Sequence, residues 1–220
     1  STSITVSGGG RLNMGGNAMT NAFALAGGRL NIGANGVTVS SPIALGAGGG
    51  TLQGGSGDYS TFSGKIGGGA TGVTVLTVRD GHVGLSNPAN DFLGNIDVGS
   101  SGYYLRTVAS EVIPDTAVVN IGTSGGEWKM FGSGLTETIA GLTGGNDSVG
   151  FFSEGGANTL RVGAGDWSGT FAGALRQVAT LNLEKIGAGT WTLTSAASAP
   201  AGLTTVQGGT LRLNGATGFD

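Results

Sequence analysis

The phrase Gly-Gly-Arg-Leu-Asn stands at residues 9–13 and again at 27–31, eighteen residues apart, and a shortened form, Gly-Gly-Gly-Thr-Leu-Gln, follows at 48–53. A short strand that recurs between glycines about every 18 to 25 residues can bury its apolar face by stacking like on like, one copy per coil. The alternation is clearest near the end. Trp191 and Leu193 alternate with Thr190, Thr192 and Thr194, and Leu211 and Leu213 alternate with Thr210 and Arg212. This is the two-residue period of a half-buried strand. Gly187 and Gly189 precede the first of these strands and Gly208 and Gly209 the second, where the chain can take positive φ and turn a corner without a Cβ clash.

The same grammar runs through the rest of the chain. Residues 21–26, 35–45, 60–66, 72–78, 101–108 and 115–122 are short apolar alternations bounded by Gly, Asn or Asp. Asp80-Gly81 marks a tight corner, and Pro88 belongs in a loop or at a strand edge because it cannot donate to a ladder. The most nearly helical stretch, 110–115, is broken by Pro114, so the sequence predicts at most one helical turn. Repeated hairpins would need many Asn-Gly or Asp-Gly pairs, and only Asn35-Gly36 and Asp80-Gly81 stand out. Parallel stacking is therefore expected: an all-β chain folded as a single right-handed parallel β-helix of roughly ten coils, about 45 to 50 Å long at about 4.8 Å per rung. The expected organisation is one β-solenoid domain over 1–220, with irregular Gly-rich coils at 1–110, spacer coils at 111–180 and the most regular repeat at 181–215.

Composition narrows the function classes. Glycine supplies 48 of 220 residues, about three times average usage, but without a triplet register and with only 4 prolines, so collagen is excluded. Charged residues are 10%, leaving Thr, Ser, Asn and Gly to solvate the surface. A net charge of -3 without runs gives no electrostatic footprint for nucleic acid. The absence of cysteine removes disulfides, thiol catalysis and the common structural zinc sites. No apolar run approaches a bilayer span, so no membrane insertion is expected. The first residues carry no basic-then-apolar leader, and are read as the start of a mature or excised chain.

The pair 187–194 (GAGTWTLT) and 204–215 (TTVQGGTLRLNG) resembles the passenger-associated transport repeat, the β-strand repeat of secreted bacterial autotransporter passengers. Trp191 stands where that family more often has Leu, and the loop 195–202 departs from the family's usual one. Residues 157–175 resemble the segment that often precedes the repeat, and 111–122 through 139–145 resemble the spacer coils of the same passengers. The resemblance implies a β-helix whose function is structural and adhesive, on the bacterial cell surface or secreted. Its partners would be neighbouring passenger coils or other copies of itself, and host or matrix glycans, with no cofactor. A self-assembling subunit of an extracellular fibre is the second reading, and a polysaccharide-processing β-helix enzyme the third.

Candidate chemistry is sparse. His82 is the only histidine and lies beside Arg79 and Asp80, a grouping that could be catalytic but is read as the polar surroundings of a corner. The thirteen carboxylates are scattered, and only folding could bring two to the separation that glycosidases need. No enzyme is expected. Residues 144–152 resemble one imperfect copy of the glycine-aspartate calcium nonapeptide, which binds metal only in tandem, and are read as a turn. Trp128 with Met130 and Trp191 with Leu193 share an apolar phase and are expected in the core. In the pairs Tyr103-Tyr104 and Phe151-Phe152, neighbours on a strand point to opposite faces, so these four residues are the candidates for contact with a sugar or partner. The phrase at 4–13 returns at 204–214, so the chain opens and closes in nearly the same phase of the coil. Ile4 and Val6 at one end, and Leu211 and Leu213 at the other, are the candidate end-to-end contact strands, because neither end has an evident cap.

Overall fold

The computed structural model describes residues 2–17, 19–55, 57, 59–99, 102, 104–147, 149–217 and 219. Its strands fall into sheets of thirteen, seven and four strands, and every ladder between strands is parallel. The chain winds as a β-solenoid of about nine turns, one fewer than the repeat spacing suggested. The reason is variable coil length. Partner residues are 19 apart at Ile4↔Phe23, 23 apart at Val118↔Gly141 and 27 apart at Gly144↔Phe171. Loops inserted at the corners lengthen a turn without adding a rung.

The longest sheet runs without a break from Ile4–Ser7 to Thr210–Leu213. In the first coils two strips turn a corner between them, such as Phe23–Ala26 and Gly28–Asn31. The 13-residue strand Ile66–Val78 joins these strips, pairing at its start with Ile43 and at its end with Gly50–Leu52. Its middle bulges between Gly69, opposite Leu93, and Thr74, opposite Asn95, and residues 71–74 are exposed. From residue 127 onward each turn has a regular three-strand form, as in Glu127–Phe131, Thr136–Ile139 and Gly141–Gly144.

Inward columns follow the period-two pattern. Leu30, Leu52 and Val78 stack in successive rungs, and Ile96, Val119 and Leu142 in later ones, all fully buried. Trp128 and Trp191 are both 0% exposed, as their apolar phase predicted. Trp128 meets Phe151 edge-on, with ring centroids 4.9 Å apart.

Corners in a solenoid interrupt the ladder, and buried side chains complete the missing hydrogen bonds. Asn90 accepts from Ile66 N at 2.8 Å and donates to the Val112 carbonyl at 2.8 Å, spanning three turns. Glu137, 0% exposed, accepts from Val112 N at 3.3 Å and Ile113 N at 2.7 Å. Glu111 accepts from both the backbone N and the hydroxyl of Thr138. Segment 110–115 is therefore a corner pinned by carboxylates, with Glu111 at φ 52, and not a helical turn. The single helical turn among the described residues is Ala164–Asp166.

Burial pushes the Glu137 carboxyl well above the ordinary range; its two backbone N–H partners oppose this, and Glu111 and Asp115 add to it. A carboxyl raised in the folded state binds its proton more readily there than in the unfolded chain. Its contribution to stability is therefore complete below the ordinary glutamate value and is lost as pH rises through the raised one. The thermal midpoint of the protein relative to Glu137→Gln should accordingly fall as pH rises above the ordinary glutamate value. Parallel midpoints for the two proteins across that range would exclude Glu137 as the titrating group.

Candidate functional site

The outer face of the seven-stranded sheet carries the densest set of functional side chains. Its register places His82 beside Tyr104 and Tyr104 beside Glu127 in one outward column. Gly84, Arg106, Lys129, Phe152 and Arg176 form the next. Tyr59, His82 and Tyr104 pack in a row with tilted rings, their centroids 5.1 and 4.5 Å apart. Gly84, opposite Arg106, has no side chain, and the Arg106 guanidinium reaches across to lie 3.6 Å from the Tyr59 ring centroid and 3.9 Å from that of Phe131. Lys129 lies 4.4 Å from the Tyr104 ring and 5.3 Å from Phe152. It also pairs with Glu127 at 3.4 Å and Glu154 at 3.2 Å.

The electrostatics of this stripe are those of cations sandwiched by rings. Burial pulls the Lys129 ammonium down, but Tyr59, Glu127 and Glu154 together outweigh it and its pKa lies above the ordinary lysine value. Burial raises the Tyr59 phenol against the pull of Arg106 and Lys129. Lys129 is thus held charged. The stripe offers flat ring edges, two forked guanidinium groups at Arg106 and Arg176, and ion pairs: a surface for stacking and hydrogen bonding.

The sequence-based candidates separate here. Phe152 and Tyr104 face outward, half-buried in the stripe. Phe151 is 0% exposed, packed on Trp128, and is corrected from a contact candidate to a core residue. Tyr103 lies outside the described residues. Arg79, Asp80 and His82 do not converge: Asp80 pairs with Arg29 at 2.8 Å, Arg79 with Asp97 at 3.6 Å, and His82 packs in the aromatic column. Asp80, at φ 54, is the corner that the sequence suggested. In the stretch read as a turn, Gly144 ends one strand and Gly150 begins the next, Asn146 and Val149 bridge between them, and Asp147 accepts from the Ser195 hydroxyl at 2.7 Å. Among the described residues no group of three or more His, Cys, Asp or Glu could hold a metal ion.

Of the end strands, Leu211 and Leu213 pair with Trp191 and Leu193. Leu213 is 44% exposed and Val206, in the same rung, 49%. Val6 is buried, at 7% exposure. Ile4 is half-buried. Arg106 and Lys129 were missed from the sequence, although Tyr104-Leu105-Arg106 and Glu127-Trp128-Lys129 already place them on the outward phase.

The parallel ladders, the corner-completing polar residues and the continuous long sheet define a β-solenoid whose turns differ in length but share one core. Within it, residues 183–213 match the family model of the passenger-associated-transport-repeat. The match corresponds to two consecutive rungs. Leu183↔Thr204 and Lys185↔Val206 stack on one face, and Trp191↔Leu211 and Leu193↔Leu213 on the next. No curated protein and no solved structure matches the chain. The repeat and the fold together fit a segment of an autotransporter-passenger type.

Proposed function

We propose that the chain is a non-catalytic, structural and adhesive β-solenoid segment of a secreted bacterial cell-surface protein. The carrying observation is continuity: within the matching repeat, Thr190–Leu193 and Thr210–Leu213 extend the long sheet, and Leu181–Lys185 and Thr204–Val206 the four-stranded sheet, from the upstream coils. The repeat thereby belongs to a stack built by template, each rung offering its edge to the next. The upstream coils then serve as a stiff spacer whose outer faces present the ring and cation stripe. The test joins the chain to an autotransporter barrel in a Gram-negative host and asks whether it appears on the cell surface with protease-resistant β-structure. Retention in the periplasm, while a control passenger is displayed, would overturn the proposal. Shortening of any neutral or acidic polysaccharide by the purified chain, abolished by Asp115→Asn or His82→Ala, would overturn its non-catalytic part.

A second reading is a fibre subunit that stacks end to end by pairing strand edges between copies. Light scattering across concentration separates the two: growth in mass that is lost in Leu213→Lys supports stacking, and a constant monomer mass refutes it.

A further inference from the structure

Trp167 is the one tryptophan that the core does not enclose: it is half-buried, whereas Trp128 and Trp191 are 0% exposed. Its position is built in. Gly163, Gly165 and Asp166 take φ of 119°, 67° and 59°, swinging the chain out of the sheet just before it. Two bonds then tie this loop to the following rung. The Asp166 carboxylate accepts from Ala188 N at 2.7 Å, and the Ser168 hydroxyl accepts from Thr190 N at 2.9 Å. The indole is laid across Gly141 and Gly169, where a Cβ on either glycine would run into the ring. Both glycines are required for the ring to lie flat. An indole laid on a sheet has its second face turned away from that sheet.

Beside this ring is a cleft of about 500 Å³, within the range of ligand sites. Asn95, Val118, Asp115 and Thr116 line it together with Gly72, which lies on the exposed part of Ile66–Val78. The sheet order puts four rung steps between the Gly72 strand and the Trp167 loop, about 19 Å at about 4.8 Å each. The groove therefore runs along the solenoid axis and is open to an extended chain.

We infer that this groove is a binding subsite for a neutral oligosaccharide, with Trp167 as the stacking platform and Asp115, Thr116 and Asn95 as hydroxyl partners. An aromatic floor or wall with a few polar groups is the composition that fixes an apolar-faced, hydroxyl-edged ligand. Strand edges under the groove are already paired with one another, which leaves a peptide no ladder to join. The only ionisable side chain in the lining is Asp115, which disfavours an acidic sugar. Burial, and then the neighbouring Glu111, raises its carboxyl above the ordinary aspartate value, which suits a group that shares protons with hydroxyls. Sugars whose hydroxyls are all equatorial present a flat C–H face, so gluco-configured units fit the platform best. The inference gives a ligand class to the adhesive part of the reading above and rests on it only for the biological setting.

The test uses the whole chain and its own fluorescence. Hexasaccharides of β-1,4-linked glucose and of β-1,4-linked N-acetylglucosamine are titrated, with an oligogalacturonate as the acidic comparison. Because the other two tryptophans are buried, a saturable emission change reports Trp167. At least one neutral oligomer should bind about tenfold or more tightly than the acidic one, and Asp115→Asn should narrow that gap. For the variants binding is read by titration calorimetry, which does not depend on the replaced indole: Trp167→Ala should weaken it at least about tenfold and Trp167→Phe less. Thr116→Trp, at an exposed position, should block the groove without touching the core, and serves if Trp167→Ala does not fold. Absence of saturable binding below about 10 mM, stronger binding of the acidic oligomer, or affinity unchanged in both Trp167→Ala and Thr116→Trp would each overturn the assignment. Surface display of Trp167→Ala separates this site from the export reading, since loss of sugar binding leaves display intact.

Discussion

Replacing Trp191 with Ala lowers the unfolding free energy of the C-terminal coils by about 3–5 kcal/mol, the cost of deleting a fully enclosed large ring. Trp191 is 0% exposed, stacks on Phe171 with centroids 6.5 Å apart, and donates its indole N–H to the Leu142 carbonyl at 3.2 Å. That bond crosses the interior from a rung 49 residues earlier. The cavity thus loosens rungs on both sides. Trp191→Leu, which restores the residue more usual in the transport repeat, should cost less, about 1–3 kcal/mol. Solenoid stability is approximately a sum over rungs and their interfaces. Hydrogen exchange should therefore speed up first in Leu181–Lys185 and the strands that follow it, and only weakly in Ile4–Ser7. Uniform acceleration along the whole chain would contradict this local accounting.

Lys185→Met destabilises the two matching rungs by about 2–3 kcal/mol, although methionine keeps most of the apolar stem. Lys185 is 0% exposed. Its ammonium donates to the Ile186 and Gly187 carbonyls and, at 3.3 Å, to the Gly208 carbonyl of the next turn. These are carbonyls at corners, where the chain leaves the ladder and has no strand partner to offer. One cation staples two stacked corners, and its removal leaves three half-buried acceptors without this donor. Burial lowers the Lys185 pKa, with Asp166 opposing. Between the lowered folded value and the ordinary lysine value the unfolded chain binds more protons. The native protein therefore gains stability as pH rises through that window, and the Met variant does not. Denaturant unfolding at neutral and alkaline pH measures both effects; equal stability of the two proteins at neutral pH would refute the staple.

Period-two alternation is a property of the local chain, so it was legible wherever the residues carried it. Trp128, Met130, Trp191 and Leu193 declare their inward phase by their neighbours alone, and the glycine corners at 187 and 209 turn at φ 66 and 62 as their flexibility required. The transport repeat was readable for the same reason, being two copies of one local pattern. Phe151 and Phe152 show the limit: alternation says that they point opposite ways, and only the register Trp128↔Phe151 decides which is inside.

What stacks on what depends on coil length, which varies with every corner loop and has no local signature. A charged residue such as Lys185 reads as solvated until the Gly208 carbonyl is placed above it. Asp80 reads as a neighbour of His82 until a residue 51 positions earlier, Arg29, arrives as its partner. The cation stripe and the Trp167 groove belong to this second kind. Each is assembled from residues on successive turns, and its geometry is fixed by the parallel register between coils, which sums the lengths of all the loops between them.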